Sequence, residues 1–165
     1  MARMMKAAFI QGPHRFTVEE RPIPSPGSGE ILVRTTSCGI CTSEIEIWKG
    51  KIPDMPYPKC IGHEPSGIVE AVGADVQGFA VGDPVAVWSE GNGFAEYFVS
   101  NADYAYKLRP ETRPQEALGE PIACSAGPAT SGWRDENYLA NAAEAGQYAL
   151  AVLQEIQPRH ASIGD

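Results

Sequence analysis

Cys41, the run Gly62-His63-Glu64 and Glu120 put a thiol, an imidazole and carboxylates into one short chain. One sulfur, one imidazole nitrogen and one carboxylate oxygen can hold a single zinc ion and leave its fourth tetrahedral position open. An open position separates a catalytic metal from a structural one, because water or a substrate oxygen can enter and be polarised there. The same residue types allow a rival arrangement. Cys38-x-x-Cys41 and Cys60-x-x-His63 form two pairs whose spacing suits a closed, four-coordinate structural zinc. Cys38 and Cys41 also have the spacing of a redox dithiol, although the βαβ context of such motifs is absent.

The elements that must position these residues are short. From Met4 to about Tyr106 the chain reads as strands punctuated by glycine and proline, with candidates at Lys6–Ile10, Phe16–Glu20, Glu30–Thr35, Ile68–Val72, Val85–Trp88 and Phe94–Val99. The intervening Pro22–Gly29, Pro53–Pro58 and Gly82–Pro84 segments carry turn chemistry. This pattern predicts a mainly β fold, a partly open barrel with short helices. Gly91-Asn92-Gly93 reads as a hairpin turn between two strands. After Cys124 the character changes. Leu139, Ala142, Ala149, Val152, Leu153 and Ile156 recur at helical steps, which predicts a C-terminal amphipathic helix over about Asp135–Gln157, opened by Asp135 and stopped by Pro158. The expected organisation is a zinc-binding domain over 1–125 followed by a linker and helix over 126–165. That helix needs a partner surface, either an exposed barrel face, a second copy in a homodimer or another protein.

Bulk properties bound the function. The 165 residues suit one domain, and 43% hydrophobic with 21% charged residues is ordinary for a globular protein. A formal net charge of -8 leaves no basic stripe for nucleic acid. No apolar run approaches a membrane span or a secretory signal. Four cysteines without such a signal point to a reduced, cytoplasmic protein rather than a disulfide framework.

Gly29-Glu-Ile-Leu-Val-Arg34, Cys38-Gly-Ile-Cys41-Thr-Ser43, Gly62-His-Glu64, Gly67-Ile-Val-Glu-Ala-Val-Gly73, Val81-Gly-Asp-Pro-Val85 and Glu120-Pro121 occur in that order. Together they resemble the catalytic domain of zinc-dependent medium-chain alcohol and polyol dehydrogenases, over about residues 4–124. The resemblance implies a GroES-like β-barrel domain with a single catalytic zinc. It implies Cys41, His63 and Glu120 as the metal ligands and Ser43 as the hydroxyl that hands the substrate proton outward. Glu64 resembles the acid just behind the metal. Glu44 stands where the family usually has Asp, a carboxylate beside the ligands that orients them. The residues themselves allow blander roles. Glu120 could be a surface carboxylate before proline, Ser43 the N-cap of a short helix at Glu44–Trp48, and Trp48 and Trp88 core aromatics.

Three departures shape the functional expectation. Glu46 replaces the His at which the family's proton relay often continues. Trp88–Phe94 passes directly into the next strand, with no cysteine-rich lobe for a second zinc. No G-x-G-x-x-G turn feeds a helix within these residues, so no Rossmann domain and no dinucleotide site are recognisable in them. The expected function is therefore the zinc-binding catalytic domain of a medium-chain dehydrogenase relative, taking a small-molecule substrate but not an autonomous dehydrogenase. The alternatives are a cofactor-independent zinc enzyme for hydrolysis, hydration or enolisation, with Glu64 or Glu44 as base, and a non-catalytic zinc-binding partner module.

Overall fold

Short apolar-rich segments between Met4 and Lys107, separated by glycine and proline turns, form eight strands and one α-helix in a computed structural model of the chain, which describes residues 2–117. The strands are β1 (Met4–Gly12), β2 (Arg15–Pro22), β3 (Glu30–Cys38), β4 (Lys59–Cys60), β5 (Pro65–Val72), β6 (Pro84–Val87), β7 (Tyr97–Asn101) and β8 (Ala105–Lys107), with helix α1 (Thr42–Trp48) between β3 and β4. They make two open antiparallel sheets, ordered β2-β1-β4 and β7-β3-β5-β6-β8. Among the described residues there is no closed barrel, as a mainly β, partly open architecture requires. No helix among them is long and apolar enough to cross a membrane. The helix expected at 135–157, and with it Glu120 and Cys124, lies outside the described residues.

The five-stranded sheet carries the main core. Ile31 and Val33 of β3, Val69 of β5, Val85 and Val87 of β6 and Phe98 of β7 are almost fully buried and pack together. Full burial of such a side chain contributes about 1.5–3 kcal/mol. Ile31, Leu32 and Val33 are buried consecutively rather than alternately, as a strand covered on both faces demands. A smaller cluster of Ala7, Cys60 and Ala95 ties the three-stranded sheet to the segment before β7, where Ala7 bridges Ala95.

One expected turn proves to be something else. Residues 91–93 do not close a hairpin, because β6 and β7 are not neighbours and β3 and β5 lie between them in the sheet. The 88–96 segment is a crossover. Its backbone runs beside residues 61–63, where Ser89 N–H donates to His63 O (3.1 Å), Gly93 N–H to Gly62 O (2.9 Å) and Phe94 N–H to Ile61 O (3.0 Å).

Candidate metal centre

Gly62 opens the site. Its φ of +103° is a conformation that L side chains rarely adopt. A Cβ there would sit 2.6 Å from Phe94 N and 2.9 Å from Gly93 C. Glycine therefore lets residues 61–63 lie against the crossover, and the chain then turns into β5 at Pro65. Since His63 and Glu64 precede the strand, they are not forced to opposite faces as neighbouring strand residues would be.

Helix α1 brings the thiol. Its N-cap is Cys41 in extended conformation (φ -84°, ψ 159°), so Ser43 is not the cap but an exposed residue of the first turn. The cap is fixed from within the helix, where Glu44 Oε2 accepts the Cys41 N–H at 3.0 Å. The other oxygen, Oε1, accepts the His63 N–H at 3.1 Å and lies 3.2 Å from His63 Nδ1. Glu44 is only 3% exposed, and this one carboxylate orders both the helix start and the His63 loop. A proton on Nδ1, donated to Glu44, leaves the Nε2 lone pair for a metal.

Cys41, His63 and Glu64 each offer a ligand atom within 4.8 Å of the others. His63 Nε2 lies 3.9 Å from Glu64 Oε1. Glu64 is buried, and Gly39 makes room for it. A Cβ on Gly39 would clash with Glu64 Oε2 and stand 3.1 Å from its Cβ and Cδ. The thiol, imidazole and carboxylate donors fit a zinc ion with an open position.

The rival closed site does not form, since Cys38 and Cys60 stay outside the single ligand cluster found among the described residues. Both are free thiols. Burial, reinforced by the Glu44 and Glu64 carboxylates, pushes Cys38 up to about 12, and burial pushes Cys60 up to about 11. Glu46 faces Lys51 at 2.7 Å and Lys49 at 3.5 Å, and the Lys51 ammonium holds its carboxyl below the usual range. Trp88 stacks edge-on against Tyr104, whereas Trp48 is 37% exposed on α1 rather than a core residue. The sequence reading had no role for Gly39, whose fit against Glu64 needs the fold to be seen.

The family model for the alcohol dehydrogenase GroES-like domain matches residues 27–110. This chain belongs to that family, the catalytic-domain fold of the medium-chain alcohol dehydrogenases. The starvation-sensing protein RspB of Escherichia coli K12 is 31% identical over 182 aligned positions, which cover 93% of this chain and 53% of RspB. A crystal structure described as a short chain alcohol dehydrogenase (rspB) from E. coli CFT073, complexed with NADH, superposes with a TM-score of 0.66 at 32% identity, covering 74% of this chain and 44% of that one. A cobalt- and zinc-bound thermostable alcohol dehydrogenase from Pyrobaculum aerophilum matches with a TM-score of 0.59 at 27% identity, over 65% of this chain and 42% of that one. The chain thus spans about half the length, or less, of the relatives it matches.

Proposed function

We propose that this domain is the zinc-binding half of a medium-chain dehydrogenase active site that takes a small alcohol or its carbonyl counterpart. The carrying observation is the convergence of Cys41, His63 and Glu64 within 4.8 Å, with His63 oriented by Glu44 behind it. Zinc, when bound, supplies a Lewis acid that polarises an oxygen and eases loss of its proton. Cys41 and His63 hold the metal, and Glu120 is the third ligand by family position. Glu64, already within reach of both, serves as a carboxylate beside the open position. Glu44 keeps His63 in the tautomer that presents Nε2. Ser43, exposed in the first turn of α1, carries the substrate proton outward. Residues 1–165 contain no G-x-G-x-x-G turn, so we place the pyrophosphate site of any nicotinamide cofactor outside them.

Elemental analysis of the chain prepared without chelators tests the reading, and about one zinc per chain is expected on the single-site argument. Cys41→Ser and His63→Ala should each lose it, and full retention in either variant would relocate the site. Calorimetric titration with NAD and NADP should show no binding by these residues alone. A micromolar dissociation constant would place a cofactor site within them.

A further inference from the structure

Helix α1 is held in an unusual way for an element that carries a metal ligand. It has seven residues, too few to be stable alone, and helices of this kind normally rely on burying an apolar face. Here the only buried residue of the helix is Glu44, a carboxylate. Beneath the helix, a groove of about 360 Å³ lined by Ala8, Ile10, Phe16, Ile45, Trp48 and Phe94 separates it from the β1–β2 sheet. Packing therefore does little to fix its orientation.

Polar contacts at the C-terminal end make up the difference. Ile45 O accepts from Lys49 N–H at 2.9 Å, and Glu46 O from Lys51 N–H at 3.0 Å. Ile47 O accepts from Gly50 N–H at 3.0 Å and from the Tyr57 hydroxyl at 2.9 Å, and Trp48 O from His14 N–H at 2.7 Å. The four carbonyls that a helix end leaves unpaired are all taken. Two of these bonds come from distant chain. Tyr57 lies in the loop before β4, and His14 is at the tip of the β1–β2 hairpin. His14 sits at φ +59°, a conformation uncommon for a residue other than glycine, and its ring stacks edge-on against Trp48 with centroids 4.6 Å apart. Gly50 lets the tip approach, since a Cβ there would lie 2.6 Å from Pro13 Cγ. Strain of this kind persists only where the surroundings over-determine it.

We propose that the hairpin tip is a clasp, with His14 as a positioning residue for Cys41 and Glu44. The inference rests on the metal reading for its consequence but not for its geometry. Anchoring Trp48 across the open groove fixes the direction of α1, and so the place from which Glu44 reaches His63 and Cys41 begins the helix. Tyr57 is the second anchor.

The test uses the full chain and the variants His14→Asn, which tolerates φ +59° and keeps the N–H but removes the ring stacked on Trp48, Tyr57→Phe, which removes the hydroxyl on Ile47 O, and the two combined. Hydrogen exchange by NMR reads the Cys41 and His63 amides, both held by Glu44, against the Val33 and Phe98 amides of the core. Cobalt titration, followed by the thiolate-to-cobalt absorption band, reads the ligands. In the double variant the Cys41 and His63 amides should exchange at least about tenfold faster with the core amides unchanged, and cobalt affinity should fall about tenfold, the scale for groups that orient ligands. Unchanged exchange at Cys41 and His63 overturns the clasp. So does an equal rise at Val33 and Phe98, which would mean general loosening. If the parent protein gives no thiolate-to-cobalt band, the metal reading fails while the exchange data still decide the clasp.

Discussion

Replacing Glu44 with glutamine changes one oxygen to an amide nitrogen and leaves the volume alone. In the parent structure both oxygens only accept, Oε2 from Cys41 N–H at 3.0 Å and Oε1 from His63 N–H at 3.1 Å with His63 Nδ1 at 3.2 Å. Whichever way the glutamine amide turns, its NH2 faces a donor. With Glu44 3% exposed, no water replaces the lost acceptor. Leaving a buried donor unpaired costs about 1–3 kcal/mol. At a midpoint of about 2 kcal/mol, and about 2–4 °C per kcal/mol for a chain of this size, the metal-free protein should melt about 4–8 °C lower. The zinc term is separate. Once His63 is no longer held with its proton on Nδ1, affinity should fall about 10–100-fold. Circular dichroism melts in excess chelator isolate the first effect, and competition against a chromophoric zinc chelator measures the second. Glu46→Gln is the control, because it alters a half-buried carboxylate paired only with lysines, where solvent screening leaves such pairs little weight. If Glu44→Gln behaved like Glu46→Gln in both assays, the claim that one carboxylate orders the thiol and the imidazole would be wrong.

Gly39→Ala should displace Glu64 and alter the visible spectrum of the cobalt-loaded protein, while thermal unfolding in chelator shifts less than in Gly62→Ala. Gly62→Ala combines φ +103° with a 2.6 Å approach to Phe94 N, so it should cost about 1–3 kcal/mol from the backbone conformation alone, read by urea unfolding. An unchanged midpoint would refute the close approach. Alkaline unfolding tests the buried thiols, because Cys38 and Cys60 are raised from 9.0 to about 12 and about 11. Between those limits the unfolded chain has lost protons that the folded one keeps, so their stabilising contribution is whole below pH 9 and is lost as pH climbs towards 11–12. Cys60→Ala should flatten that decline in the metal-free protein, and an identical slope in parent and variant would contradict the burial argument.

What the sequence disclosed and what it concealed divide along the range of the interactions involved. Alternation and turn residues located six of the eight strands because both signals are local. The two-residue β4 and three-residue β8 carry too few residues for a period, and only their pairing with β1 and β6 defines them. Ser43 made the better cap on side-chain chemistry alone, yet the helix starts at Cys41. The deciding bond comes from Glu44, and Glu44 is committed there because its other oxygen holds His63, 19 positions away. Gly91-Asn92-Gly93 misled for the same reason. Its glycines look like a hairpin, but Gly93 is needed for the crossover to lie against Gly62, where an added Cβ would meet Gly62 O at 2.6 Å. Cys41 and His63 were legible as ligand types in order, but Glu64, read as an acid behind the metal, is the third member of the cluster, and Glu120 lies outside the described residues. The supporting shell was not legible. Gly39, His14 and Tyr57 act through a close approach, a ring stacked on Trp48 and a hydroxyl on a carbonyl, and none of these leaves a pattern in sequence. The chemistry of a site is written in its residue types, and its geometry is set by contacts that only the fold brings together.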